Sequence, residues 1–196
     1  MKDYIEDKLK GEPNRNMYFN KIKLIAEAFA SVKDSKFKFN EYQVLNTARL
    51  ICEEEPNSKT AMALKLPAGS GKTMIILMGA KHFLNEGHKV RIIVPTPQLK
   101  MQYAEDVHLY VASDNLEIIC IDDLMYKKGD DDYVYFCDEA DLMLEHHAVS
   151  FKTMHDFSSY PVLHGIAALY FSKKVYFCSA TYSSYVEGLL RTLFAV

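Results

Sequence analysis

The sequence predicts an α/β domain of three layers, a mostly parallel sheet between helices, preceded by extra N-terminal helices. Two observations carry this. From Ala61 onward, short apolar runs alternate with segments of helical periodicity: AMALKL (61–66), VRIIV (90–94), LEIICI (116–121), YVYFC (133–137) and KVYFCS (174–179). Runs rich in Val, Ile, Tyr and Phe read as buried strands, and strand alternating with helix implies parallel pairing. The second observation is where the polar chemistry falls. PAGSGKT, PTPQLKMQ, DEAD and SAT each follow one of these runs directly. In an open parallel sheet that is the edge where ligands bind.

The elements justify themselves in order. Residues 1–16 are polar and broken by Gly11, Pro13 and Asn14, which reads as a loose lead-in. Over 17–33, Ile22, Ile25, Ala26 and Phe29 share one helical face. A second helix over 40–54 has Asn40 as its N-cap and turns Val44, Leu45, Ala48 and Ile51 inward. Further helices are expected near 72–86, 97–111, 140–171 and 182–194, with Pro161 breaking the longest stretch in two. Tyr133, Tyr135 and Tyr176 fall within strands and read as packing rather than base stacking. His82, His88 and His108 are scattered and read as surface residues. His146, His147 and the acidic run Gly129 to Asp132 are given no metal role.

Composition sets limits. The chain has 196 residues, 49% hydrophobic and 25% charged, which is ordinary for a globular domain. Its formal net charge of -3 gives no bulk attraction to nucleic acid, so any polyanion must be held locally. None of the four cysteines forms a C-x-x-C pair, which argues against zinc and for a reduced, intracellular setting. The charged N-terminus is unlike a secretory signal, and no apolar run nears the roughly 20 residues of a membrane span, so no membrane insertion is expected.

The chemistry lies at the strand ends. Gly69 and Gly71 have no side chain to keep the backbone from a phosphate. With Ser70 and Lys72 their amides can form an anion-binding concavity at a helix N-terminus. Lys72 then reaches the β- and γ-phosphates and the Thr73 hydroxyl serves Mg²⁺. Leu66 stands where the phosphate-loop pattern has its first glycine, but it closes a strand and need not approach the phosphate. Asp138, at the end of another run, can hold Mg²⁺, and Glu139 beside it can activate an attacking water. Acids such as Asp141 and Glu145 also suit the start of any helix.

Together these segments resemble the first RecA-like domain of the superfamily-two helicases, the DEAD-like group of ATP-driven nucleic-acid motors. PAGSGKT resembles the phosphate loop, with Ala68 where many members have threonine. Pro95 to Gln102 match P-T-x-x-L-x-x-Q, Asp138 to Asp141 match D-E-x-D, and Ser179 to Thr181 match S-A-T. The resemblance implies a RecA-like P-loop NTPase domain over 37–196, with 1–36 as lead-in and helix. It implies Mg²⁺ and ATP held by Ala68, Gly69, Ser70, Gly71, Lys72, Thr73 and Asp138, with Lys72 and Glu139 catalytic. It gives Gln43 the adenine, although Gln43 reads equally as a polar helix residue. Thr96, Lys100 and Gln102 would touch the backbone of RNA or DNA. Ser179 and Thr181, with Asp141, would couple the two sites. Pro97 and Gln98 stand where DEAD-box RNA helicases have Arg and Glu, so the letters DEAD do not place the chain in that subfamily.

No Q-x-x-G-R-x-x-R motif follows SAT. A second RecA-like domain, whose arginine finger is worth about 10³-fold or more in related NTPases, is therefore expected outside this chain. The domain alone is expected to bind nucleotide but to turn it over slowly and not to unwind. A preprotein-translocase type of DEAD motor and a nucleotide-gated scaffold without catalysis are the alternatives. A small-molecule kinase would leave SAT and P-T-x-x-L-x-x-Q without a role.

Overall fold

The computed structural model describes residues 13–52, 60–124, 126–127, 133–145, 160–172 and 174–194. Its strands are β1 (Thr60–Lys65), β2 (Lys89–Val94), β3 (Leu116–Cys120), β4 (Tyr133–Asp138) and β5 (Lys174–Ser179). They pair wholly in parallel, in the order β1-β5-β4-β2-β3. The chain first steps outward to β2 and β3, then returns to fill the gap beside β1. That return puts the ends of the phosphate-loop, SAT and DEAD strands side by side. Lys65 is level with Ser179, and Asp138 with Cys178.

The strands β2, β4 and β5 are buried along nearly their whole length because both faces of the sheet are covered there. Ile92, Val134, Phe136, Tyr176 and Cys178 point into one cluster. It is roofed by α1 (Pro13–Ala30), α2 (Glu41–Cys52), α3 (Lys72–Asn85) and α4 (Pro97–Tyr110). Ile93, Tyr135, Cys137, Val175 and Phe177 point the other way. There they meet α5 (Ile121–Leu124), α6 (residues 140–145), α7 (Tyr160–Phe171) and α8 (Ser184–Phe194). This is the three-layer arrangement that the alternating pattern predicts. No described helix is long and apolar enough to cross a membrane.

The expected inward faces hold: Ile22, Ile25, Ala26 and Phe29 of α1 are buried, as are Val44, Leu45, Ala48 and Ile51 of α2. Asn40 caps α2, its Oδ1 accepting the Tyr42 N–H at 2.9 Å. Three expectations are corrected. Helix α1 begins at Pro13, inside the expected lead-in, because proline is suited to a first helical turn. Strand β3 ends at Cys120, and Ile121 starts α5 instead. The Asp123 carboxylate, accepting the Cys120 N–H at 3.2 Å, turns the chain there.

His82 is the third correction. It is not a surface residue: α1 lies over it, and only 5% of it is exposed. Its ring meets Tyr18 and Phe83 edge-on. Burial pushes its pKa down from 6.5 to about 4, although Glu86 nearby opposes this and Lys21 nearby adds to it. The sign follows. As pH falls below 6.5 the unfolded chain takes the proton first, so stability drops until the folded ring also protonates near 4. Thermal midpoints measured from pH 7 to 4 should therefore fall less steeply for His82→Phe than for the native chain. Parallel curves would remove His82 from the acid sensitivity.

Candidate nucleotide site

Helix α3 starts without a side-chain cap. Its N-cap is Gly71, at φ 79°, so the first-turn N–H groups get no side-chain acceptor from that residue. Gly69, at φ 76°, takes the same left-handed conformation, which favours glycine at both positions. A Cβ on Gly69 would meet nothing within 4 Å, so the loop is open there. A Cβ on Gly71 would lie 1.8 Å from Gln43 Nε2. Gln43 thus packs directly on the loop, and its Nε2 donates to the Ser70 carbonyl at 3.1 Å. Among the described residues, Gln43 Oε1 and the Ser70 hydroxyl are buried without a hydrogen-bond partner.

Two adjacent carboxylates are set against this loop. Lys72 Nζ lies 2.5 Å from Glu139 Oε1 and 3.2 Å from Asp138 Oδ1. Burial alone would lower the Lys72 pKa, but the Glu139 and Asp138 carboxylates hold it above its ordinary value. Glu139 has a left-handed backbone, φ 49°, uncommon for a residue with a side chain. Its N–H donates back to Asp138 Oδ1 at 2.9 Å. Asp138, 3% exposed, accepts on both oxygens, since the Tyr103 hydroxyl donates to Oδ2 at 2.8 Å. Burial first, and the Asp138 charge second, push the Tyr103 pKa far up, so this phenol stays protonated.

The three residues expected to couple sites meet. Ser179, at the end of β5, donates to Asp141 Oδ1, and the Thr181 hydroxyl is 3.4 Å from Oδ2. The Leu66 N–H donates to the Ser179 carbonyl at 2.8 Å, which ties the exit of β1 to the SAT segment. Glu145 also takes part: it accepts from Ser183 at 2.8 Å, a contact that reading it as a helix-dipole acid misses. The expected nucleic-acid residues are less united. Thr96 caps α4, accepting the Leu99 N–H at 3.2 Å, and Lys100 sits one turn on, facing Asp123 at 3.5 Å. Gln102 is exposed but about 200° round the helix from Lys100, so it faces elsewhere. Ala68 is exposed at the start of the loop turn. His146, His147 and the run from 129 to 132 lie outside the described residues.

Tyr103 is the functional contact that motif matching misses, because P-T-x-x-L-x-x-Q stops one residue before it. The available signal is the stripe Leu99, Tyr103, Val107 and Tyr110, the packing face of α4. A tyrosine in such a stripe carries a polar end that must find a partner.

Residues 36–160 match the family model for ResIII, described as the type III restriction enzyme, res subunit. The chain belongs to the ResIII family. Its fold is that of a superfamily-two helicase RecA-like domain, and ResIII matches make it a helicase ATP-binding domain. Among solved structures, this ResIII domain is similar to the UvsW helicase from bacteriophage T4, with a TM-score of 0.54 and 15% identity. The likeness covers 80% of this chain and 59% of the UvsW chain, and at that identity it speaks to fold alone. No curated protein matches the domain significantly.

Proposed function

We propose that this domain binds ATP with Mg²⁺ and hydrolyses it in response to RNA or DNA, as the ATP-binding half of a helicase or translocase. The observation that carries this is the meeting of Lys72 with Asp138 and Glu139 beneath an uncapped helix start. Phosphate oxygens would take over the Lys72 ammonium and the free α3 N–H groups. Thr73 and Asp138 offer the oxygen donors that Mg²⁺ prefers. When bound, that ion neutralises charge on the phosphates. Glu139, released from Lys72, orients and deprotonates the attacking water.

The base has a place as well. A cavity of about 890 Å³ is lined by Gln43, Phe37, Phe39, Met74 and Tyr110, within the size range of small-ligand sites. The unpartnered Gln43 Oε1 supports its use as an acceptor for the adenine amine. Thr96 and Lys100 then serve the nucleic-acid backbone. Asp141 with Ser179 and Thr181 transmits that contact to the phosphate loop. A second RecA-like domain completes the site and supplies the arginine, so this domain alone turns over slowly.

Glu139→Gln tests the reading. It should keep affinity for a fluorescent ADP analogue within about threefold, while hydrolysis stimulated by RNA or DNA falls by about 10²-fold or more. Unchanged hydrolysis would remove Glu139 from the chemistry. Tight ATP binding without turnover under any condition, in the native chain joined to its second domain, would support the scaffold instead.

A further inference from the structure

We propose that Tyr103 is the positioning residue of Asp138, the carboxylate that would hold magnesium: its O–H, fixed by a buried ring, donates to Asp138 Oδ2 at 2.8 Å. This rests on the nucleotide reading above. A carboxylate that takes a cation must present its lone pairs in a fixed direction, which its outer partners set. Asp138 Oδ1 is held by Lys72 at 3.2 Å and by the Glu139 N–H at 2.9 Å, and Oδ2 by Tyr103.

The contact ties α4 to the end of β4 through one side chain. Tyr103 can hold Asp138 because it cannot move. It is wholly buried, with its ring in the cluster beneath α4. A tyrosine has few rotamers, so locking its ring locks its oxygen. With it in place, the Asp138 carboxylate is set before any cation arrives. Without the O–H, Oδ2 loses its donor and the carboxylate is free to turn. Outer partners of metal ligands typically contribute 10–100-fold to metal affinity.

The test is a Mg²⁺ titration of the binding of a fluorescent ADP analogue. Tyr103→Phe is compared with the native chain and with Tyr135→Phe. That control removes another fully buried phenol, one bonded instead to Arg91 at 2.8 Å. In EDTA all three should bind the analogue alike. The Mg²⁺ concentration for half-maximal tightening should rise about tenfold in Tyr103→Phe alone. A merely structural role would lower melting temperature in both variants and leave the Mg²⁺ midpoint in place. Replacement of Tyr103 by p-aminophenylalanine, which keeps a donor, should restore the native midpoint. Replacement by 4-fluorophenylalanine fills the oxygen's volume without an O–H and gives the same readout if the Phe variant does not fold. A native midpoint in a chain lacking the O–H would overturn the proposal. A native chain that binds the analogue with no Mg²⁺ response overturns the Tyr103 role alone, and one that does not bind it at all overturns the nucleotide reading with it.

Discussion

Lys72→Ala should weaken nucleotide binding by about 10²-fold or more, as expected for loss of a partly buried charged contact, and should also destabilise the empty domain. The second effect is the less obvious one. In the absence of phosphate, Lys72 is the counter-charge of two adjacent carboxylates. Asp138 is almost completely buried and stays in place through Tyr103 and the Glu139 N–H, neither of which carries charge. Breaking a fully buried pair costs about 3–5 kcal/mol. Lys72 is 13% exposed and Glu139 34%, so solvent screening reduces this to about 1–3 kcal/mol. The pH dependence checks the cause. The folded Lys72 pKa lies above its ordinary 10.5, so its contribution is complete below 10.5 and is lost as pH rises through the higher folded value. Urea unfolding of the two chains should thus differ at pH 7 and converge under strongly alkaline conditions. Lys72→Arg should not rescue binding, since a planar fork does not replace a compact ammonium. Equal stability and equal affinity would show that the ion pairs contribute nothing.

The strands and the segments following them were readable because both are local properties. A buried parallel strand needs an apolar run, and the residues after it need no tertiary information to be located. That is why Lys72, Thr73, Asp138 and Glu139 could be named, whereas only the family resemblance grouped Ser179 and Thr181 with Asp141. What was not readable depends on partners distant in sequence. The strand order follows from how crossovers fold back over the sheet, and no run announces that β5 inserts between β1 and β4. His82 is buried because α1 packs across α3, a contact that the pattern of α3 alone does not contain. The P-T-x-x-L-x-x-Q motif gives positions but not faces, so Gln102 was grouped with Thr96 and Lys100 although it points away. Tyr103 lay in plain view as a core residue. Its second role appears only once the fold brings Asp138 to its hydroxyl.

Gly71→Ala should cost more than Gly69→Ala, although both glycines have nearly the same backbone. Each would force a left-handed conformation on alanine, a penalty of about 1–2 kcal/mol. At Gly69 that is all, because a Cβ there meets no atom within 4 Å. At Gly71 the Cβ arrives 1.8 Å from Gln43 Nε2 and 3.0 Å from its Cδ. The Gln43 amide must leave its place, surrendering the bond to Ser70 O and adding about 1 kcal/mol. Gly71→Ala should therefore destabilise by about 2–3 kcal/mol in chemical unfolding, and both variants should lose nucleotide affinity. The double variant separates the causes. Gln43→Ala clears the space that the new methyl group needs, so Gly71→Ala should cost about 1 kcal/mol less in that background, a coupling typical of residues in contact. Additive effects would mean that Gln43 does not rest on the loop. Coupled stability, with affinity still lost in the double variant, would show Gln43 and Gly71 meeting at the site the nucleotide needs.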